Sequence, residues 1–180
     1  MSHILEFFKH PIQISSLFPS TRRVAKKMAA PIDFELADRI VELGPGNGIV
    51  TRVLLENMKP TAKLTAVEIN NKFYQKLKRI KDKRLYTING NAFELRRYVQ
   101  QADYVVSGIP IILLSEEQRT QLFKGIQDVM KYGCIQLCHQ KTGQEMLERH
   151  FKHVERKRVW LNLPPAYVCT ASNATYRNAE

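Results

Sequence analysis

The run Ile40-Val41-Glu42-Leu43-Gly44-Pro45-Gly46-Asn47-Gly48-Ile49-Val50 changes character twice along its length. Ile40 to Leu43 is short and apolar, fit for a buried strand. Three glycines then alternate with other residues in a G-x-G-x-G pattern. From Ile49 to about Met58 the apolar residues recur at helical spacing. A strand, a glycine-rich turn and a helix start form a nucleotide-binding corner, because glycine lets the chain bend sharply and lets a ligand approach the backbone.

Just downstream, Lys63 to Val67 reads as a second strand ending in Glu68. An acid about 20 residues past the glycines, at a strand's carboxyl end, can accept hydrogen bonds from both ribose hydroxyls of a nucleoside. A basic helix is expected from Asn70 to about Ile80. With the turn after it, it carries Lys72, Lys76, Lys78, Arg79, Lys81, Lys83 and Arg84, most simply read as a solvated outer face. Leu85–Ile88 and Asp103–Val106 are further strands. Ser115 with Gln118 is set for a capping box opening a helix to about Lys131, which Tyr132-Gly133 would stop. Cys134–Cys138 is a fifth strand, followed by a short helix over Gly143–His150. Two last strands, Val154–Leu161 and Ala166–Ala171, flank Asn162-Leu163-Pro164-Pro165. Strands separated by helices imply a mainly parallel seven-stranded α/β sheet, covered on both faces and closed by a C-terminal antiparallel hairpin.

Upstream, residues 1–30 form a basic amphipathic helical segment ahead of a single domain over 31–180. Ser20 is the expected N-cap of a helix through Ala30. Val24, Ala25, Met28 and Ala29 share one face, with Arg22, Arg23, Lys26 and Lys27 on the other. Such a helix can lie on an anionic membrane or pack on the core with its basic face in water. Across the chain of 180 residues, 28 Lys/Arg against 17 Asp/Glu leave a charge of +11, which favours anionic partners. Cys134, Cys138 and Cys169 have neither disulfide nor metal-ligand spacing and read as small buried residues, so no metal is expected. No leader peptide is visible, and no apolar run reaches the roughly 18 residues that a membrane span needs. The expectation is a cytoplasmic protein that meets a membrane from outside.

Ligands of such sheets bind beyond the strands' carboxyl ends. The rim there comprises Glu42, Gly44, Pro45, Gly46, Gly48, Glu68, Ile69, Asn91, Ala92, Ser107, Gly108, Pro110 and His139. Glu42, just before the glycines, would repel a pyrophosphate and suits the cationic amine of S-adenosylmethionine. A buried structural carboxylate, the alternative, needs a partner that the sequence does not identify.

Glu42-Leu43-Gly44-Pro45-Gly46-Asn47-Gly48 with Glu68 resembles the cofactor motifs of Rossmann-like class I S-adenosylmethionine-dependent methyltransferases. Ser16 to Arg23, Val106-Ser107-Gly108-Ile109-Pro110 and Asn162-Leu163-Pro164-Pro165-Ala166 narrow this to the bacterial phospholipid N-methyltransferases. The resemblance implies methylation of phosphatidylethanolamine towards phosphatidylcholine by a peripheral protein on an anionic membrane. Phe18, Ser20, Arg22, Arg23, Lys26, Lys27 and Pro110 are its implied substrate and membrane residues. It also implies cofactor roles for Glu42, Gly44, Gly46, Gly48 and Glu68. Asn91 stands where the family commonly has an aspartate, and its carbonyl oxygen can still accept from the adenine amino group. His139 stands where the family often has tyrosine. It is either the base that deprotonates the amine or a strand-end side chain, and Ser107 with the Gly108 backbone would orient that amine.

A second reading is an RNA methyltransferase of the ribosomal adenine type, which shares the turn and explains the charge. Against it, base methylation usually uses an N-x-P-aromatic loop after the fourth strand. Here that loop is Ser107-Gly108-Ile109-Pro110 followed by Ile111, and no helical RNA-binding domain is expected after it. A third reading is a cofactor-binding fold kept as an interaction module.

Overall fold

The computed structural model describes residues 21–138, 140, 142–159 and 166–173. Seven strands form one sheet in the order β3-β2-β1-β4-β5-β7-β6. β1 (Arg39–Leu43), β2 (Lys63–Glu68), β3 (Leu85–Asn89), β4 (Ala102–Ser107) and β5 (Met130–Cys138) are parallel. β6 (His153–Val159) and β7 (Ala166–Ser172) pair antiparallel, and β7 inserts between β5 and β6. The expected closing hairpin is thus present, with its second strand on the inside.

Side chains alternate between two cores. On one face α1 (Arg22–Ala29) and α2 (Ile49–Asn57) pack Val24, Met28, Val53 and Leu54 onto Ile40, Leu64, Val106 and Ile135. α3 (Asn71–Leu77) joins this layer: Ile80, just beyond it, packs on the same core, and Leu77 and Ile80 close over Gly48. On the other face α4 (Glu116–Val129) and α5 (Thr142–Glu148) pack Leu122, Phe123, Ile126 and Leu147 onto Val41, Val105, Cys134 and Cys169. The three cysteines are buried and free, small core residues as expected. Two 3-10 turns, Ala92–Arg97 and Ile111–Leu113, occupy segments that sequence patterning leaves as loops.

Two boundaries and one side chain differ from expectation. α1 is capped by Thr21, whose Oγ1 accepts from Val24 N at 3.2 Å, and Ser20 lies outside the described residues. α4 ends at Val129, so Lys131, Tyr132 and Gly133 belong to β5. Gly133 stops no helix: it pairs with Tyr104, and a Cβ there would meet the Ala171 carbonyl at 3.2 Å, so it admits the close approach of β7. Arg84 is not solvated with the rest of its basic turn. Its guanidinium donates to the carbonyls of Met58 at 2.6 Å and Leu55 at 2.8 Å, and pairs with Asp82 at 2.7 Å. It thereby satisfies the carbonyls at the end of α2, which a helix cannot satisfy itself.

Candidate functional site

Parallel pairing of β1, β2 and β4 brings Leu43, Val67 and Ser107 to one level, so the loops after these strands converge on a single rim. Gly44, Gly46 and Gly48 all have positive φ. Gly44 turns the chain while packed against the loop after β4. A Cβ on it would meet Ile109 Cγ1 at 3.1 Å, and one on Gly108 would meet the Gly44 carbonyl at 3.0 Å. Gly108 N donates to Leu43 O at 2.9 Å, so the two loops touch backbone to backbone. Among the described residues nothing lies within 4 Å of where a Cβ on Gly46, at φ +56°, would sit. That leaves the space that a cofactor approaching the turn requires.

Two carboxylates stand beside this opening. Glu42 is buried, and Thr51 Oγ1 of α2 donates to its Oε2 at 2.7 Å. Burial, with the Glu68 carboxylate nearby as a lesser cause, pushes the Glu42 carboxyl up to about 8 against the Thr51 hydrogen bond. Thr51 is the partner that sequence reasoning could not name; its signal was a hydroxyl on the apolar face of α2. Glu68, 5% exposed, accepts from Gly46 N at 2.9 Å on Oε2 and from Asn70 N at 2.8 Å on Oε1. Burial raises its carboxyl above the ordinary value despite these backbone donors. A carboxylate has about four acceptor directions, so Glu68 can take a ribose hydroxyl beside these donors. Asn70 also caps α3, accepting from Lys72 N and Phe73 N.

Ile69, Asn91 and Ala92 are half-buried at the ends of β2 and β3, and Pro45 is buried in the turn. Asn91 Oδ1 accepts from Phe93 N at 3.1 Å, so it caps the 3-10 turn with the oxygen expected to read adenine. Ser107 is the side chain expected to orient the acceptor amine. It is fully buried, and its Oγ accepts from Ile109 N at 3.3 Å, bracing the turn. Gln136, missed from the sequence because it sits inside an apolar strand, is also fully buried. Its Nε2 donates to Ile109 O and Leu137 O, both at 2.8 Å, and its Oε1 has no partner among the described residues. Ile109 is therefore held at both its N–H and its carbonyl. Pro110 and Ile111 are buried, Ile112 is half-buried and Leu113 is exposed, giving the loop an apolar lip. Phe18, Ser20, His139 and Asn162 to Pro165 lie outside the described residues.

Arg22, Arg23, Lys26 and Lys27 are exposed on α1, whose apolar side is buried in the core. Among the described residues no helix is long and apolar enough to cross a membrane, and no group of His, Cys, Asp and Glu is arranged to hold a metal. The open turn, the acid before it and the acid that ends β2 fit S-adenosylmethionine: a cationic amine suits Glu42 and a ribose suits Glu68.

The sequence model of the ribosomal RNA adenine dimethylases matches residues 8–156. An ornithine lipid N-methyltransferase of Singulisphaera acidiphila is 30% identical over 176 residues, covering 91% of this chain and 92% of that protein. Ribosomal RNA small subunit methyltransferase A of Fusobacterium nucleatum is 32% identical over 113 residues, covering 60% of this chain and 42% of its own, so the chain spans less than half of that enzyme. In fold, the chain is similar to magnesium protoporphyrin IX methyltransferase of Synechocystis, solved with bound S-adenosylmethionine: TM-score 0.65, 9% identity, 97% of this chain and 86% of that one.

Proposed function

We propose, from the premise that this chain belongs to the ribosomal RNA adenine dimethylase family of S-adenosylmethionine-dependent methyltransferases, that it methylates the amine of a lipid headgroup at a membrane surface. The observation that carries this reading is the loop after β4. From Ser107 to Leu114 it holds no aromatic side chain, and its exposed end is the apolar lip of Ile112 and Leu113. A flipped base is usually stacked on a ring at this position, whereas an acyl chain needs only apolar surface. The near full-length likeness to the Singulisphaera lipid enzyme supports the same choice.

Bound S-adenosylmethionine supplies an activated methyl group. In our reading Glu42 holds its amine, Glu68 its ribose and the Gly46 backbone faces it. Asn91, Ile69 and Ala92 border the adenine. The acceptor nitrogen must sit behind the methyl carbon, in line and free of water. The backbone of Ser107 and Gly108, fixed through Ile109, defines that position. His139, or the phosphate of a phosphatidylethanolamine acceptor, removes the amine proton. Phosphatidylethanolamine and an ornithine lipid each offer a primary amine, and either suits this site, with His139 alone as base for the phosphate-free ornithine lipid.

The test incubates the protein with labelled S-adenosylmethionine and, separately, vesicles containing phosphatidylethanolamine, vesicles containing ornithine lipid, or ribosomal RNA. Label is expected in one of the lipids and not in RNA. Label in RNA alone establishes the second reading, an RNA adenine N-methyltransferase, which the family model and the Fusobacterium relative favour. Label in none, with cofactor bound, removes both and leaves an interaction module.

A further inference from the structure

The two helical layers that cover the sheet carry opposite charge. Over their helical residues α1, α2 and α3 have seven Lys/Arg and one acid, Glu56, which Arg22 pairs at 2.8 Å. The layer of α4 and α5 has two Lys/Arg and five acids. The excess continues past α3 into its turn. Lys72, Lys76, Lys78, Arg79, Lys81 and Lys83 are all exposed, and none forms an ion pair among the described residues. Two of these lysines lie over half-buried rings: Lys76 Nζ is 5.5 Å from the Phe73 centroid and Lys78 Nζ 5.6 Å from that of Tyr74. Unpaired cations beside aromatic rings form a surface suited to the headgroup region of a bilayer, where rings sit at the polar boundary and lysines meet anionic lipids.

We infer that α3 and its turn are a second docking surface for an anionic lipid bilayer, acting together with α1 so that the protein lies on the membrane by its α1–α2–α3 layer. The choice of a bilayer as occupant rests on the lipid reading above; the charge asymmetry itself does not. The placement is functional, because Asn70, which caps α3, is hydrogen-bonded to Glu68. The docked face therefore borders the rim where the methyl donor is held, and a headgroup amine reaches the rim without leaving the interface. The edge strand β6 is also basic, with Lys152 before it and Arg156, Lys157 and Arg158 within it. It lies at the opposite edge of the sheet from β3 and α3.

The experiment measures co-sedimentation of the full chain with vesicles of phosphatidylcholine alone or mixed with phosphatidylglycerol, without methyl donor. Lys72→Glu with Lys76→Glu and Arg79→Glu is compared with Lys124→Glu with Lys152→Glu and Lys157→Glu, a charge change of the same size placed elsewhere. Wild type is expected on the anionic vesicles only. The α3 variant should lose about a hundredfold in partitioning, and the control about threefold or less. Unchanged cofactor affinity shows that both variants are folded. Wild-type partitioning by the α3 variant overturns the inference, as do equal losses in both variants. RNA binding that the α3 variant loses, with no vesicle binding by wild type, also overturns it and assigns the face to RNA. No turnover enters this readout, so failure of lipid methylation with vesicle binding intact defeats the proposed function alone.

Discussion

The Gly46 N–H donates to Glu68 Oε2 at 2.9 Å, tying the open glycine of the first loop to the last residue of the second strand. The other oxygen of the same carboxylate accepts from Asn70 N, the cap of α3. Glu68 thus shapes the turn as well as offering a ribose acceptor. Glu68→Ala should weaken S-adenosylmethionine binding by about a hundredfold or more. It should also destabilise the cofactor-free protein by about 1–3 kcal/mol, since two N–H groups lose their acceptor. Calorimetric titration and thermal melts read the two effects separately. Unchanged affinity would remove the ribose assignment, and unchanged melting would remove the structural one.

The glycines of the turn differ in what they tolerate. Gly46→Ala adds a Cβ into open space, at a conformational cost of roughly 1–2 kcal/mol for its positive φ. It should melt a few degrees lower and lose most of its cofactor affinity. Gly44→Ala has the same φ cost and also presses on Ile109 at 3.1 Å. It should melt lower still, by displacing the loop after β4. Equal melting temperatures for the two variants would contradict the contact between those loops.

Glu42 predicts a proton released on cofactor binding. With its carboxyl pushed from an ordinary 4.5 up to about 8, the folded free protein holds a proton across that interval that the unfolded chain has lost. Stability therefore falls as pH rises from about 5 to 8, at up to roughly 1.4 kcal/mol per pH unit. A cationic amine beside Glu42 favours its ionised form, so binding near neutral pH should expel the proton and tighten as pH rises towards 8. Titration at pH 7 in buffers of different ionisation enthalpy measures the release. Glu42→Gln should abolish it, flatten the stability slope and weaken cofactor binding. A buffer-independent binding enthalpy for the wild type would refute the assignment of Glu42 to the amine.

What was legible in the sequence was whatever repeats or stands next in line. The strand of Ile40 to Leu43, the helix from Ile49 and the capping box of Ser115 and Gln118 are local patterns, and all three appear in the fold. Glu42 and Glu68 could be placed at strand ends because each directly follows an apolar run. What could not be read was the use of a side chain by something distant. Arg84 looked like one more solvated cation, yet it serves carbonyls of α2 more than twenty residues earlier. Gly133 looked like a helix stop because the approach of β7, which it admits, depends on strand order and not on its neighbours. Ser107 could be placed at the rim, but not the use of its Oγ as the acceptor for Ile109 N in the turn that follows.

Gln136 is the clearest case of such distant use, and it should separate acceptor handling from cofactor binding. It lies on β5 opposite Ser107, fully buried, with both donors spent on the carbonyls of Ile109 and Leu137. Ile109 carries the loop where the acceptor is proposed to sit, and its N–H is already tied to Ser107 Oγ. Gln136→Met keeps the volume and removes the hold on the Ile109 carbonyl together with an Oε1 that has no partner among the described residues. Losing a buried orphan acceptor offsets much of the lost hydrogen bonding, so stability should change by only about 1 kcal/mol. The rate of methyl transfer should fall about tenfold to a hundredfold, because small displacements of a positioning loop are costly in an in-line reaction. Cofactor affinity should stay within about twofold, since the hydrogen bonds of Gln136 go to Ile109 and Leu137 and not to a carboxylate or the glycine turn. Single-turnover rates with preloaded cofactor, beside cofactor titration, decide the matter. A parallel loss of cofactor affinity would make Gln136 a general core residue, and an unchanged rate would free the loop from its control.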